Sequence, residues 1–388
     1  MLDFENIEVQ KRMLEGNIGL EKESLRITRN GLFSKTPNPF PNNKNIVRDF
    51  CENQTEINTS VTSSAKEALD ELEYHTRHIM EILKNLPEPE YLWPFSNPPY
   101  ISKESDIPIA RYEGEEKEKE IYREYLAERY GRYKMTFSGI HFNYSFSDEL
   151  LRADYEAKKK KSSNEGSDSP DFKSYKNQFY VSLAGKAQVY NWLIVAITAA
   201  SPLLDSSYVE KGVLGKDIFN GMGSTRCSEL GYWNLFTLIL DYRDIEHYVE
   251  SIMAYINSGL IHSSAELYYP VRLKPVGKYS PEKLATEGVG HIELRMIDLK
   301  TVNVITPDNR TMWVADAACE FLLKMKDFYT SLSDIDEDSK NGLEISKVID
   351  FQLAKFENAE NRYAWKIRRQ FGGGFVEKGL SLCKEREI

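Results

Sequence analysis

The chain has 388 residues, 41% of them hydrophobic and 28% charged, long enough to bury a large core in an ordinary soluble composition. Its 50 basic against 60 acidic residues leave a net charge of −10, which argues against nucleic-acid binding through a general basic surface. The four cysteines, Cys51, Cys227, Cys319 and Cys383, form no Cys-x-x-Cys pair, so free thiols in a reducing compartment are expected, and no zinc site.

Residues 1–15 read as a short helix, and the charge spread over residues 1–17 does not suit a signal peptide. Residues 18–28 read as a strand. Glu21 and Glu23 are two apart, so both side chains project from one face. Carboxylates that close raise each other's pKa, and a hard cation such as Mg²⁺ suits them; an incidental pair on a solvated strand is the alternative. Arg29-Asn30-Gly31 reads as a turn and suggests a hairpin between residues 18–28 and the segment after the turn. Residues 37–45 are loop. Residues 47–59 read as extended and carry Asp49, Glu52 and Glu56. Asp49 and Glu56 are an odd number apart, so they can share a face only if the strand bends or begins after Asp49.

Residues 64–86 have the clearest helical period, with Leu69, Leu72, Thr76, Ile79 and Leu83 on one side, Ser64 and Glu67 placed as a capping box, and Pro87 as a stop. His75 and His78 are expected at the surface, and residues 87–100 as a proline-rich loop. Residues 115–130 read as a charged helix with Ile121, Tyr122, Tyr125 and Leu126 on its apolar side. Residues 138–146 alternate strictly: Ile140, Phe142, Tyr144 and Phe146 face one way, His141, Asn143 and Ser145 the other.

Residues 157–171, rich in lysine and then serine, are expected as a mobile loop. A long helix over residues 172–200 ends at Ser201-Pro202. Its apolar run, residues 192–200, is about half what a membrane span needs. No membrane association is expected, and the cytoplasm is the expected location. Residues 211–234 are glycine-rich and loop-like, residues 244–258 amphipathic helix, and residues 266–274 strand or strand edge. In residues 291–298, His291, Glu293 and Arg295 share one face. An arginine beside a carboxylate suits a phosphate-plus-metal site, with a cross-strand ion pair as the alternative. Helices are expected at about 307–332 and 342–368. Gly372-Gly373-Gly374 reads as a helix-ending turn, because it lacks the Lys-Ser or Lys-Thr of a phosphate loop. Strands with charge on one face and hydrocarbon on the other point to an α+β fold, an antiparallel sheet with an open polar face backed by helices.

Eight blocks carry a resemblance. They are Gly-Leu-Glu-Lys-Glu-Ser-Leu-Arg (19–26), Arg-Asp-Phe-Cys-Glu-Asn-Gln-Thr-Glu (48–56), Trp-Pro-Phe-Ser-Asn-Pro-Pro-Tyr-Ile (93–101), Tyr-Arg-Glu-Tyr-Leu-Ala-Glu-Arg-Tyr-Gly (122–131), Ser-Gly-Ile-His-Phe-Asn-Tyr-Ser (138–145), Ser-Glu-Leu-Gly-Tyr (228–232), Glu-Leu-Tyr-Tyr-Pro-Val-Arg (266–272) and Ile-Glu-Leu-Arg-Met-Ile-Asp (292–298). In this order they resemble the bacterial glutamate–cysteine ligases over about residues 18–315.

The resemblance implies a polar funnel of antiparallel strands with a glutamine-synthetase-like catalytic fold, the whole of 1–388 forming one domain. It implies ATP as co-substrate, Mg²⁺ (or Mn²⁺) as cofactor, and glutamate and cysteine as substrates. The product would be γ-glutamylcysteine, the first step of glutathione biosynthesis, and no obligate protein partner is evident. Carried over by position, Glu21, Glu23, Asp49, Glu56 and Glu293 would hold metal. Arg295 and Glu293 would be catalytic, and Arg272, Lys274 and Arg295 would meet the nucleotide. His141, Arg226, Tyr122, Tyr232 and Tyr268 would line the amino-acid sites, with Phe50 and Leu126 beside the cysteine side chain. ATP would turn the γ-carboxylate into an acyl phosphate, a transfer that needs positioning and charge neutralisation; the amine then displaces phosphate without a protein nucleophile. There are two departures. Met135 stands where relatives carry a glutamine near the cysteine pocket, and the fused ATP-grasp domain of bifunctional glutathione synthetases is not expected, so that the chain would not complete glutathione alone. The alternatives are a γ-glutamyl ligase for another amine, or a non-catalytic relative that binds glutamate or a partner protein.

Overall fold

The computed structural model describes residues 2–299, apart from residues 42, 165–168, 199–200, 202, 210–216, 220–223 and 229. The helices expected at 307–332 and 342–368, the triple-glycine turn, Cys319 and Cys383 lie outside the described residues. In chain order the first elements are α1 (Ile7–Arg12), β1 (Gly16–Thr28), β2 (Ile46–Arg48), β3 (Gln54–Asn58), α2 (Ala65–Lys84), β4 (Glu90–Leu92), α3 (Lys117–Tyr130), β5 (Gly139–Phe146) and α4 (Asp148–Asn164). The chain continues through α5 (Phe172–Val189), α6 (Asn191–Thr198), β6 (Leu203–Asp205), α7 (Ser206–Val209), β7 (Asp217–Phe219), α8 (Ile245–Asn257), β8 (Val271–Lys274), α9 (Pro281–Glu287) and β9 (His291–Asp298).

The expected α+β architecture with an antiparallel sheet is the one observed. The main sheet runs β2-β3-β1-β5-β9-β8 with every pair antiparallel, β4 adds to the end of β1, and β6 and β7 form a separate pair. Alternation assigns the faces. Leu20, Ile57, Ile140, Phe142, Leu273, Ile292 and Leu294 join a core beneath the sheet, with Leu69, Leu72, Ile79 and Leu83 of α2 and Tyr248, Val249 and Ile252 of α8. Each such aliphatic side chain contributes about 1.5–3 kcal/mol on burial. A second cluster, with Leu25, Phe50, Trp93, Leu126, Met135 and Tyr268, is more aromatic. No described helix is long and apolar enough to cross a membrane.

Helix α2 begins at Ser64, whose hydroxyl accepts from the Glu67 main chain. The capping box is not closed, because the Glu67 carboxylate takes the hydroxyl of Thr62 instead. Several expectations are corrected. Residues 47–59 are a hairpin of β2 and β3. The turn after Thr28, with Gly31 at φ 79°, leads only to a single bridge between Ile27 and Phe33, and the strand that pairs with this end of β1, over Arg26–Thr28, is β4. The loop over 87–100 contains the edge strand β4. His75 is buried, 3.6 Å from Glu71. On α3 it is Ile121 that is exposed and Glu120 that is buried, since Glu120 accepts from the Tyr112 main chain and from Arg111.

The lysines at 158–161 are helical. Lys158 pairs with Asp154 one turn back, and Lys161 reaches Asp3. The helix expected over 172–200 breaks at Tyr190, where the Asn191 side-chain amide donates to the Gln188 carbonyl and competes with the helical pattern. Residues 264–266 form a tight turn, so strand begins only at Val271. Helix α9 was not anticipated, although Ser280-Pro281 supplies its N-cap and first turn.

Candidate active site

Strand register gathers the charged residues into one row across five strands. Glu23 of β1 lies opposite Glu56 of β3, and Glu21 opposite His141 of β5. Asn143 lies opposite Glu293 of β9, which in turn faces Arg272 of β8. Asp49 comes just after β2, and its main-chain N donates to the Gln54 carbonyl. The hairpin therefore folds Asp49 back toward Glu56, and the odd spacing no longer separates them.

His141 sits at the centre. Its Nδ1 is 2.8 Å from Glu21 Oε2 and 4.0 Å from Glu293 Oε1, and its Nε2 is 3.5 Å from Glu23 Oε1. Asn143 Nδ2 donates to Glu21 Oε1 at 3.0 Å. Lys274 Nζ and Arg295 NH1 donate to Glu293 Oε1 at 2.8 and 3.1 Å. Arg272 is buried and spends its guanidinium mainly on the main-chain oxygens of Ala265 and Leu267, with NH1 3.9 Å from Glu293 Oε2. So His141 stands among carboxylates rather than tyrosines, and Asn143 is a contact that only its place on the polar face of the strand foreshadowed.

The carboxyls divide into two groups. Burial, then Asp49 and Glu56, push Glu23 well above the usual range against the pull of Arg226. Burial, then Asp49 and Glu21, raise Glu56 to about 8. Burial also works against ionised Glu21, but the His141 hydrogen bond and Lys274 outweigh it and hold that carboxyl down at about 2. Burial opposes Glu293 as well, and Arg295, Lys274 and Arg272 more than compensate, keeping it well below the usual range. Burial and Arg295 lower His141 to about 4, so the imidazole is neutral near pH 7.

These residues suit a divalent cation. Ligand atoms of Glu21, His141 and Glu293 lie within 4.8 Å of one another. Glu293 Oε2 is buried without a hydrogen bond among the described residues. Glu23 and Glu56, with Asp49 nearby, are oxygen donors short of positive charge, as expected of a site for a hard ion.

Above this floor stands an aromatic wall. Tyr232 and Tyr268 have ring centroids 4.3 Å apart, and both line a cavity with Arg226 and Arg295. Phe50, Leu126, Met135 and Tyr268 are buried in the same cluster, against which Tyr122 and Tyr232 pack. Arg226 is buried, and its guanidinium lies against Gly139, where a Cβ would overlap it. Gly139 N also donates to Glu23 Oε2 at 2.9 Å, so this glycine seats both charges. The structure thus gathers Glu21, Glu23, Glu56, His141, Glu293, Lys274 and Arg295 on the sheet face and Phe50, Leu126, Tyr122, Tyr232 and Tyr268 in or against one aromatic cluster, while Arg272 is turned to main-chain oxygens.

The model of a family described as glutamate-cysteine ligase matches residues 2–259, more than half of the chain. A glutathione biosynthesis bifunctional protein of Clostridium perfringens is 32% identical over 342 residues, covering 84% of this chain and 42% of the relative. That of Listeria innocua is 36% identical over 313 residues, covering 77% and 39%. The chain therefore spans about two fifths of the length of the curated relatives it matches. Among solved structures, a bifunctional glutathione synthetase from Pasteurella multocida aligns with TM-score 0.69 at 22% identity, over 98% of this chain and 53% of that one. A glutamate–cysteine ligase from Francisella tularensis, in complex with AMP, aligns with TM-score 0.68 at 20% identity, over 96% and 88%. At these identities the likeness is one of fold.

Proposed function

Since the chain belongs to the glutamate–cysteine ligase family, we propose that it uses ATP to join the γ-carboxyl of glutamate to the amine of cysteine. The observation that carries this reading is the sheet-face row itself: Glu23, Glu56 and Asp49 at one end, and Glu21, His141 and Glu293 beside Arg295 and Lys274 at the other. The described sheet and its helices act as one catalytic unit.

In this reading Glu21, Glu23, Asp49, Glu56 and Glu293, with His141, hold divalent cation. Mg²⁺ or Mn²⁺ bound there supplies positive charge to the nucleotide phosphates. Arg295, held against Glu293, offers its guanidinium to the phosphoryl group as it passes to the γ-carboxylate. Lys274 adds positive charge beside it. Arg226 and the tyrosine wall orient the amino acids, and the buried wall keeps water from the acyl phosphate before the amine displaces phosphate. Neutral His141 steadies Glu21 without adding charge.

Buried Met135 supports a second reading, a γ-glutamyl ligase for a different amine, because a thioether offers no amide hydrogen bonds to a polar acceptor. One assay separates the two: the protein with ATP, Mg²⁺ and glutamate, with and without cysteine or other amines, followed by mass spectrometry and ADP release. γ-Glutamylcysteine as the fastest product is expected. Another acceptor turned over about tenfold faster, a preference of about 1.4 kcal/mol, replaces the first reading with the second, and no γ-glutamyl product at all removes both.

A further inference from the structure

Glu266 opens the Glu-Leu-Tyr-Tyr-Pro-Val-Arg block, yet the chemistry above gives it no role. It is fully buried, and a buried carboxylate is costly unless its oxygens are satisfied. Glu266 meets that demand with groups from α3 and from the turn before β8. Tyr130 and Tyr125 donate their hydroxyls to Oε2 at 2.9 and 3.5 Å, and Arg129 Nε lies 3.6 Å from the same oxygen. The main-chain N of His262 donates to Oε1 at 2.6 Å. The Glu266 main-chain oxygen accepts from Asn234 Nδ2 at 2.8 Å and from Tyr268 N at 2.8 Å, while Asn234 Oδ1 also accepts from Tyr268 N at 3.1 Å.

These partners have a common consequence. Tyr125, Arg129 and Tyr130 belong to α3, which carries Tyr122 and Leu126. Asn234 lies two residues beyond Tyr232, whose main-chain N is bonded to the Arg226 carbonyl at 3.0 Å. Tyr268 lies two residues beyond Glu266, its ring edge-on to Tyr130 with centroids 5.3 Å apart. One residue therefore ties together the three segments that carry Tyr122, Tyr232 and Tyr268. We propose that Glu266 is a positioning residue that fixes the tyrosine wall of the amino-acid sites and thereby sets their affinity and the selectivity for the amine. This inference rests on the ligase reading. Glu266 acts through the tyrosines and does not touch the reacting atoms.

The test is Glu266→Gln in the full chain, with KM and kcat measured separately for each substrate. The amide keeps the shape but replaces one accepting oxygen by a donor, which faces other donors. The KM for cysteine is expected to rise about tenfold and selectivity over other amines to fall by a similar factor, with the KM for ATP within about twofold. A merely structural role would reduce the yield of active protein and leave the KM values alone, and that result overturns the inference. Should Glu266→Gln fail to fold, Tyr130→Phe decides: a cysteine KM raised about threefold supports the clamp, and an unchanged one overturns it. A wild-type protein that joins no amine to glutamate removes the ligase reading and this inference with it. An active wild type with an unaltered Glu266→Gln profile removes this inference alone.

Discussion

The two ends of the polar sheet face use the same residue type on neighbouring strands and behave oppositely. At the β3 end the Glu23 and Glu56 carboxyls are pushed up, whereas toward β9 the Glu21 and Glu293 carboxyls are held down. Burial opposes ionisation at all four, so burial is not what separates them. The neighbours are. Register sets Glu56 opposite Glu23, acid against acid, while β8 and β9 bring Lys274, Arg272 and Arg295 to Glu293. A sheet can thus tune a carboxylate by choosing the strand beside it. The acid-rich end is short of positive charge, as the proposed cation site requires; the balanced end keeps its carboxylates ionised and paired with the cations proposed to meet phosphate.

The balanced end breaks most deeply at Arg295. Arg295→Gln removes the guanidinium proposed to meet the moving phosphoryl group, and kcat is expected to fall by about 10³-fold. ADP release at saturating ATP, glutamate and cysteine measures it. A loss of less than about tenfold, or about 1.4 kcal/mol, would mean that this cation does not follow charge in the transition state.

At the acid-rich end, Glu23→Gln takes away one anion of the proposed ion site and leaves the phosphate-side cations alone. Turnover at fixed Mg²⁺ is expected to drop about 100-fold, and the Mg²⁺ concentration for half-maximal rate to rise about tenfold. A Mg²⁺ titration of the rate reads both. An unchanged titration curve would remove Glu23 from the ion site.

Much of this contrast was legible in single stretches of sequence, and its cause was not. Strict alternation exposed the polar faces of residues 139–146 and 291–298, because a strand's period of two is a local property. The helices around 64–86 and 244–258 were legible for the same kind of reason, a period near 3.6. Which strand lies beside which is set by distant pairing and by loops, so no window revealed that Glu56 faces Glu23 or that Lys274 reaches Glu293. The odd spacing of Asp49 and Glu56 pointed to a bend without showing a hairpin. Composition misread residues 157–164, where lysines that look like loop pair with Asp154 and Asp3 on a helix. Glu266 looked like any strand glutamate until its partners on α3 were in view.

The subtlest expected effect isolates the acid-rich end without any chemistry. Folding raises the Glu56 pKa from an ordinary 4.5 to about 8. A group raised in this way contributes stability that is complete below its unfolded pKa and is lost as pH climbs toward the folded value. In EDTA the wild-type protein should therefore weaken between about pH 4.5 and 8, with Glu23 acting in the same direction. Gln cannot ionise, so Glu56→Gln should escape its share of that loss. Urea unfolding in EDTA is expected to find Glu56→Gln about as stable as wild type near pH 4.5 and more stable near pH 8, by about 1–2 kcal/mol once partial solvent exposure is allowed for. Saturating Mg²⁺ should reverse the order at the higher pH, because the wild-type carboxylate then has the cation it lacks. A variant that is less stable than wild type at pH 8 in EDTA, or a gap that ignores pH, would mean that Glu56 is already neutralised inside the protein, and the two ends of the sheet would no longer differ in kind.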